Sequence, residues 1–133
     1  MTRIPTVRPA VERLVTELLG TVDLAVDEDG DVAVRWDRVL LFIRPLDREP
    51  PRLRIECPML HGVVPTPRIL DEINRLDTQI PDGRMYWDDG QVVVATEVVA
   101  ETTHRGELEG ACRAIAGIAD RFDARLREAV VGT

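Results

Sequence analysis

The residues best suited to chemistry lie in a short acidic stretch, VDEDGDVAVRWD, at positions 26–37. It places Asp27, Asp29 and Asp31 on alternate positions around Gly30, and oxygen atoms of this kind are the ligands that calcium prefers. A calcium loop of the EF-hand type has its glycine at the sixth position and a bidentate glutamate at the twelfth. Here the glycine comes fourth, so the spacing favours a turn between two strands over a calcium loop.

The parity of strand pairing predicts the length of this turn. The alternating apolar residues of 22–26 can lie beside those of 32–36 only if the paired residue numbers have an even sum. A loop at 28–30 meets this condition and puts the glycine at a left-handed bulge position, which glycine adopts without steric cost. The same register sets Asp27 opposite Asp31, a repulsive pair. The sequence shows no obvious partner for them, and a weak cation site there stays an alternative.

Other candidate groups are few. The chain contains no lysine and no serine, and all 17 basic residues are arginine, which excludes a serine nucleophile and a lysine Schiff base. Cys57 and Cys112 fall on apolar sides of predicted elements and are expected to be buried thiols without zinc or redox spacing. His61 is expected in a loop, and Thr103 or His104 is expected to cap the last helix. We predict no catalytic residue, no cofactor and no metal site.

Length and composition indicate an ordinary globular chain. The 133 residues suit one domain covering 1–133, with 44% hydrophobic and 31% charged residues. No apolar run approaches the roughly 20 residues that span a bilayer, and the first residues lack the apolar region of a signal peptide, so we expect the cytoplasm. The net charge is -7 and the arginines are scattered, which argues against nucleic acid and membrane surfaces as partners.

Hydrophobic periodicity predicts the element order α-β-β-β-β-α-β-β-α. Strands joined by short hairpins indicate an antiparallel sheet with packed helices, the α+β class. In the last hairpin, Asp88-Asp89-Gly90 is typical of a solvated turn, of a length that parity leaves open. The predicted helices cover 9–19, 67–80 and 105–130, and the predicted strands cover 22–26, 32–37, 39–43, 53–59, 84–87 and 92–99.

Three segments carry a family resemblance: VDEDGDVAVRWD, the helix PTPRILDEINRLDTQIP running into DGRMYWDDGQVVVATEVVAE, and the final helix with ADRFDARL. Over about residues 8–130 the chain resembles the bacterial YbjN family, which is grouped with the type III secretion chaperones as a peptide-binding chaperone domain. The resemblance implies a type III secretion chaperone-like α+β fold, no enzymatic activity, and binding of protein or peptide clients, often as a homodimer. The family usually opens its last helix with threonine and proline, where this chain has His104 and Arg105. A small-molecule-binding or regulatory domain is the alternative function.

One sheet face is predicted to be unusually apolar for an antiparallel sheet, which normally turns polar residues to water. Two ways of covering it are open. In the first, the helix at 67–78 covers this face, within the chain or across a homodimer. In the second, a client strand binds to the face or to a sheet edge through main-chain pairing. We predict a homodimer whose contact includes this helix. The candidate peptide or dimer surface comprises Leu40, Phe42, Tyr86, Val93, Ile69, Leu70, Ile73 and Leu76.

Overall fold

The fold is described from a computed structural model, which describes Arg13, Thr16, residues 25–26 and residues 31–132. The predicted first helix lies outside these residues except for Arg13 and Thr16, which are both helical. The elements that follow agree in order with the prediction. The strands are β1 (Ala25–Val26), β2 (Val32–Trp36), β3 (Val39–Leu46), β4 (Arg52–Leu60), β5 (Arg84–Asp88) and β6 (Gln91–Val99), and the helices are α1 (Pro67–Asp77) and α2 (Arg105–Val131).

The strands form one sheet in the order β1-β2-β3-β4-β6-β5, and every neighbouring pair is antiparallel. The predicted α+β architecture with an antiparallel sheet is therefore confirmed. Strand β3 runs three residues beyond its predicted end at Ile43, because Arg44, Pro45 and Leu46 pair with β4 although they break the apolar run. The end of β3 is therefore set by its pairing with β4, which the composition of β3 alone does not show.

For the two predicted hairpin turns, the structure gives the strand register beside the first and the complete turn of the second. In the first, Ala25 pairs with Ala33 and Val26 with Val32, which is the register that the three-residue loop requires, although the turn itself lies outside the described residues. In the second, Asp88 pairs with Gln91 across a two-residue turn. Its residues Asp89 and Gly90 have φ angles of 48° and 83°, as in a type I′ turn, whose twist suits a hairpin.

Both described helices pack on the same face of the sheet. A single apolar cluster joins alternate residues of β2, β3, β4, β5 and β6 to α1 and α2. Ile69, Ile73 and Leu76 are buried in this cluster, and the side chain of Asp77 accepts a hydrogen bond from the Met85 backbone nitrogen at 2.8 Å. The prediction that α1 covers the second sheet face is therefore wrong within the chain, since its apolar stripe is used on the first face.

The helix starts follow from local capping chemistry. Thr66 Oγ1 accepts a hydrogen bond from the Ile69 backbone nitrogen at 3.3 Å, and Pro67 fills the first turn of α1, as the sequence predicts. At α2 the cap is His104, whose Nδ1 accepts from the Glu107 backbone nitrogen at 3.3 Å. This decides between Thr103 and His104. Across the described part of the chain, neither helix is long and apolar enough to cross a membrane.

Candidate functional site

The sheet face opposite α1 and α2, which neither described helix covers and which is here called the open face, holds the strand residues of the predicted surface. Strand alternation puts Leu40 and Phe42 on this face, and pairing across the sheet places Val93 and Tyr86 beside each other on it. Leu40 is 40% exposed, whereas Phe42 and Tyr86 are half-buried. Val93 is only 5% exposed although it lies outside the main apolar cluster.

The other four predicted surface residues lie on α1, where three are buried and one is exposed. Ile69, Ile73 and Leu76 are core residues with exposures of 1%, 5% and 0%, so they are not part of a surface of the single chain. They carry the helical stripe that packs on the sheet, and periodicity alone does not distinguish a stripe buried within the chain from one buried by a partner. Leu70, on the outer side of the same helix, is 42% exposed.

The open face changes from apolar to charged along the strand direction. Three rows of cross-strand neighbours show this change, because residues two positions apart on a strand share a face. The first row is Pro58, Val93 and Tyr86; the second is Ala33, Phe42, Glu56, Ala95 and Arg84; the third is Arg44, Arg54 and Glu97. The face thus offers apolar contact at one end and arginines at the other.

An ionic network of two buried carboxylates and a partly exposed arginine lies in the middle of this face. Arg44 Nε donates to both carboxylate oxygens of Asp31 at 3.1 and 3.0 Å, and its Nη2 donates to Oδ2 at 2.9 Å. The same Nη2 lies 3.1 Å from Glu56 Oε1. Both carboxylates are buried, and the hydrogen bond to Asp31 raises the pKa of Arg44 above its usual value.

Arg44 is the partner of Asp31 that the sequence did not reveal. Extending the register of β2 and β3, in which Val32 pairs with Ile43, puts Arg44 directly across from Asp31. The residues are 13 positions apart, and their proximity depends on the turn between the strands. The sequence therefore could have shown this pair only once the β2–β3 register had been fixed.

A second ionic cluster surrounds Glu97 at the charged end. Glu97 accepts hydrogen bonds from Arg48 Nη1 at 3.1 Å and from Arg54 Nη2 at 3.1 Å, and Arg52 Nε lies 4.0 Å away. One carboxylate is therefore shared by three guanidinium groups. Arg84, on the neighbouring β5, has no ion-pair partner among the described residues.

Arg48, Arg54, Arg84 and Glu97 line a groove of about 740 Å³, here called the arginine groove, whereas Arg52 lies outside its lining. Its wall includes Tyr86, whose pKa is raised above the usual value, first by burial and then by the nearby Glu56 carboxylate. The residues that line the groove are Arg48, Arg54, Pro81, Asp82, Gly83, Arg84, Tyr86, Asp88, Ala95, Thr96 and Glu97. Apolar, aromatic and cationic groups thus meet within one concave surface.

The groove lies at a step in the edge of the sheet. Strand β5 pairs with β6 only as far as Arg84 and Ala95, so the residues of β6 from Thr96 to Val99 have a described strand, β4, on one side alone. Ladder alternation directs the N–H and C=O groups of Glu97 and Val99 towards the open side. The Val99 carbonyl accepts from the Thr103 backbone nitrogen at 3.1 Å, and among the described residues the main chain of Glu97 has no strand partner on that side.

The remaining candidate groups lie away from the groove. Cys57 and Cys112 are buried free thiols, as predicted, and burial raises their pKa to about 11 and about 12. His61 follows the end of β4, and His104 is used as a helix cap. Within the ranges that the structure describes, no three histidine, cysteine or acidic side chains are placed to hold a metal ion.

An antiparallel sheet with helices on one face, and with a grooved open face on the other, defines the class of the type III secretion chaperone fold. The family model described as "T3SS (YopN, CesT) and YbjN peptide-binding chaperone 1" matches residues 6–133, and the chain belongs to this family. The resemblance seen in the sequence is thereby confirmed. A comparison with curated proteins finds no match.

Solved structures of this class share the fold. A chain of the ExsC–ExsE complex is 21% identical, with a TM-score of 0.67 over 90% of this chain and 95% of that one. The Yersinia pestis type III secretion chaperone SycH, solved with a fragment of YscM2, is 18% identical, with a TM-score of 0.61 over 86% and 98%. A chain of the HopA1–SchA chaperone–effector complex is 14% identical, with a TM-score of 0.65 over 88% and 95%.

Proposed function

We propose that this protein is a non-enzymatic chaperone or adaptor that binds extended segments of other polypeptides on its open face. The observation that carries the proposal is the arginine groove, where the half-buried Tyr86 lies close to a stretch of β6 that has a described strand on one side only, with the half-buried Phe42 on the same sheet face. Membership of a peptide-binding chaperone family supports it. We further propose that residues 1–133 act as one domain and that the protein works in the cytoplasm.

The two kinds of contact have separate roles in binding. The main chain of Glu97 can pair with a client backbone, which provides affinity for many sequences. The half-buried side chains of Phe42 and Tyr86 then form the apolar surface on which alternate client residues rest, above the buried Val93. The outer edge of β5 is less suited to pairing, because Asp77 already accepts the hydrogen bond of the Met85 backbone nitrogen.

We propose no enzymatic activity because of the side chains that the chain offers for catalysis. A nucleophile needs an adjacent base or a lowered pKa, and in the described chain both thiols are buried with raised pKa values. Serine and lysine are lacking altogether. Three carboxylates of the open face, Asp31, Glu56 and Glu97, are engaged in ion pairs with arginines.

A small-molecule-binding domain is the second candidate, because the arginine groove has the volume of a ligand pocket, which is typically about 300–1,000 Å³. A thermal-shift screen separates the two. A metabolite that raises the melting temperature would favour the second candidate, since a ligand that binds only the folded state stabilises it. A shift produced by extended peptides and by no small molecule supports the first.

The direct test is peptide binding by variants of the open face. A library of immobilised peptides is probed with the wild-type protein, and the strongest binder is then measured by fluorescence anisotropy. We expect Phe42→Asp and Tyr86→Asp each to weaken binding at least tenfold while the far-UV spectrum is unchanged. Val131→Asp, at a position 86% exposed on the end of α2, is the matched control and should bind normally. Equal binding by all four proteins would refute the proposed surface.

A further inference from the structure

We propose that the arginine groove makes the protein selective for acidic client segments, and that Glu97 occupies the groove as an internal carboxylate until a client replaces it. This inference rests on the proposed function and adds the chemistry of the client. Three arginines surround the single carboxylate of Glu97: Arg48 and Arg54 form ion pairs with it, and Arg52 lies 4.0 Å away.

Three guanidinium groups are more than one carboxylate can satisfy. Each guanidinium carries several N–H donors, whereas a carboxylate accepts about four hydrogen bonds. All three arginines keep part of their side chains exposed, from 24% for Arg54 to 53% for Arg48. Donors therefore remain available to a second carboxylate, and an arginine binds a carboxylate in a planar, two-pronged geometry that lysine cannot reproduce.

Arg84 adds a further cation without a counterion. It lies beside Ala95 in the row next to Glu97, it is exposed, and it has no ion pair in the described part of the chain. Two acids of the groove, Asp82 and Asp88, stand just before and at the end of β5. They oppose an acidic client at those two points, which confines the favourable site to the space between Arg84 and the three arginines at Glu97.

The arrangement of rows also predicts the spacing in the client. On the same face of β6, Val93 lies in the apolar row with Tyr86, and Glu97 lies in the charged row with Arg54. Four residues of extended chain separate them, about 13 Å at the usual rise per residue. A client segment lying over the face along the direction of β6 would therefore place an apolar side chain against the half-buried Tyr86, beside Val93, about four positions from its carboxylate.

The whole protein carries a net charge of -7, so an acidic client is repelled at long range and attracted only at the groove. Exposed ion pairs of this kind are weak individually and are screened by salt. We therefore expect a preference of modest size, about fivefold in affinity at low ionic strength. It should decrease as salt is added.

The test compares two fluorescein-labelled decapeptides that differ only in glutamate or glutamine at the acidic positions, with leucine four positions away. The wild-type protein should bind the glutamate peptide about fivefold more tightly. Arg84→Gln should reduce this preference, and Arg35→Gln should not, because Arg35 is an exposed arginine of the same face that lies on β2, at the far side of the sheet. Glu97→Gln should strengthen binding of the glutamate peptide by removing the competing carboxylate.

The outcomes separate this inference from the proposed function. Equal binding of the two peptides would overturn acidic selectivity and leave peptide binding intact. Binding of neither peptide would overturn both. A labelled single-stranded oligonucleotide that binds more tightly than the glutamate peptide, with the same loss in Arg84→Gln, would assign the groove to nucleic acid instead. If Glu97→Gln lowers the melting temperature, the result for Arg84→Gln still decides, since the Arg84 side chain makes no ion pair within the described residues.

Discussion

Asp31 and Arg44 face each other across β2 and β3 and are joined by three hydrogen bonds of 2.9–3.1 Å. Arg44 also reaches Glu56, so a single guanidinium compensates two buried carboxylates. Because burying a charge is costly unless it is paired, this residue holds together the middle of a sheet face that neither described helix covers. The network is thus a structural support for the open face.

The first prediction is that Arg44→Met destabilises the protein by about 1–2 kcal/mol, since two buried carboxylates lose a charged hydrogen-bond donor, and the cost is reduced because the Arg44 side chain is 41% exposed to water. The double change Arg44→Met with Asp31→Asn should recover part of this loss. Urea unfolding followed by circular dichroism measures both free energies. An Arg44→Met variant as stable as the wild type would show that water already solvates Asp31 and Glu56.

The second prediction concerns the turn at 28–30. The three-residue loop predicted from parity would put Gly30 in the left-handed region, so Gly30→Ala should lower the free energy of unfolding by about 1 kcal/mol. Gly90→Ala is the reference, because Gly90 has a φ of 83°. Asp27→Asn should be neutral or stabilising. Micromolar calcium binding that disappears in Asp27→Asn would instead establish the cation site.

The third prediction is that both thiols stay unreactive in the folded protein. Burial raises the pKa of Cys57 to about 11 and of Cys112 to about 12, whereas a thiol in the unfolded chain titrates near pH 9. Their contribution to stability is therefore complete below pH 9 and is lost as the pH rises towards 11–12. Thiol labelling at pH 8 should require unfolding.

Melting temperatures measured between pH 8 and pH 11 test the same linkage. The wild-type protein should lose stability above pH 9, and Cys112→Ala should show a shallower decrease from a lower starting point. Rapid labelling of either thiol under native conditions would contradict their burial. Tyr86, whose pKa is also raised, adds to the loss at the upper end of this range.

The fourth prediction concerns the start of α2. His104 caps this helix by accepting from Glu107, but aspartate is a better cap, because its carboxylate accepts the same bond and its charge favours a helix N-terminus. His104→Asp should raise the free energy of unfolding by about 0.5–1 kcal/mol. Thermal unfolding at pH 7 measures this, with His61→Asp as the matched control outside the helix. A destabilised His104→Asp would mean that the imidazole contributes more than its cap.

The sequence predicted those parts of the fold that depend on local pattern. Periodicity located the described helices and strands, and the parity of apolar residues fixed the β1–β2 register. The sequence did not show the contacts that depend on pairing between distant segments. The strand order puts β6 between β4 and β5, which brings Arg54 beside Glu97 although the two are 43 positions apart. The alternation of Arg52, Arg54 and Glu56 marked a polar strand face, but nothing local indicated which carboxylate they would meet.

The final prediction is that the protein forms a homodimer through α1. With Ile69, Ile73 and Leu76 committed to the core, the contact would use the outer side of the helix, where Leu70 is 42% exposed and Val64, just before the helix, is 70% exposed. Exposed apolar residues that lie close together are typical of interaction surfaces. Light scattering should give about twice the chain mass of 14.9 kDa for the wild type and the monomer mass for Leu70→Asp. Leu40→Asp, a matched change on the open face, should leave the dimer intact, and a monomeric wild type at micromolar concentration would refute the contact.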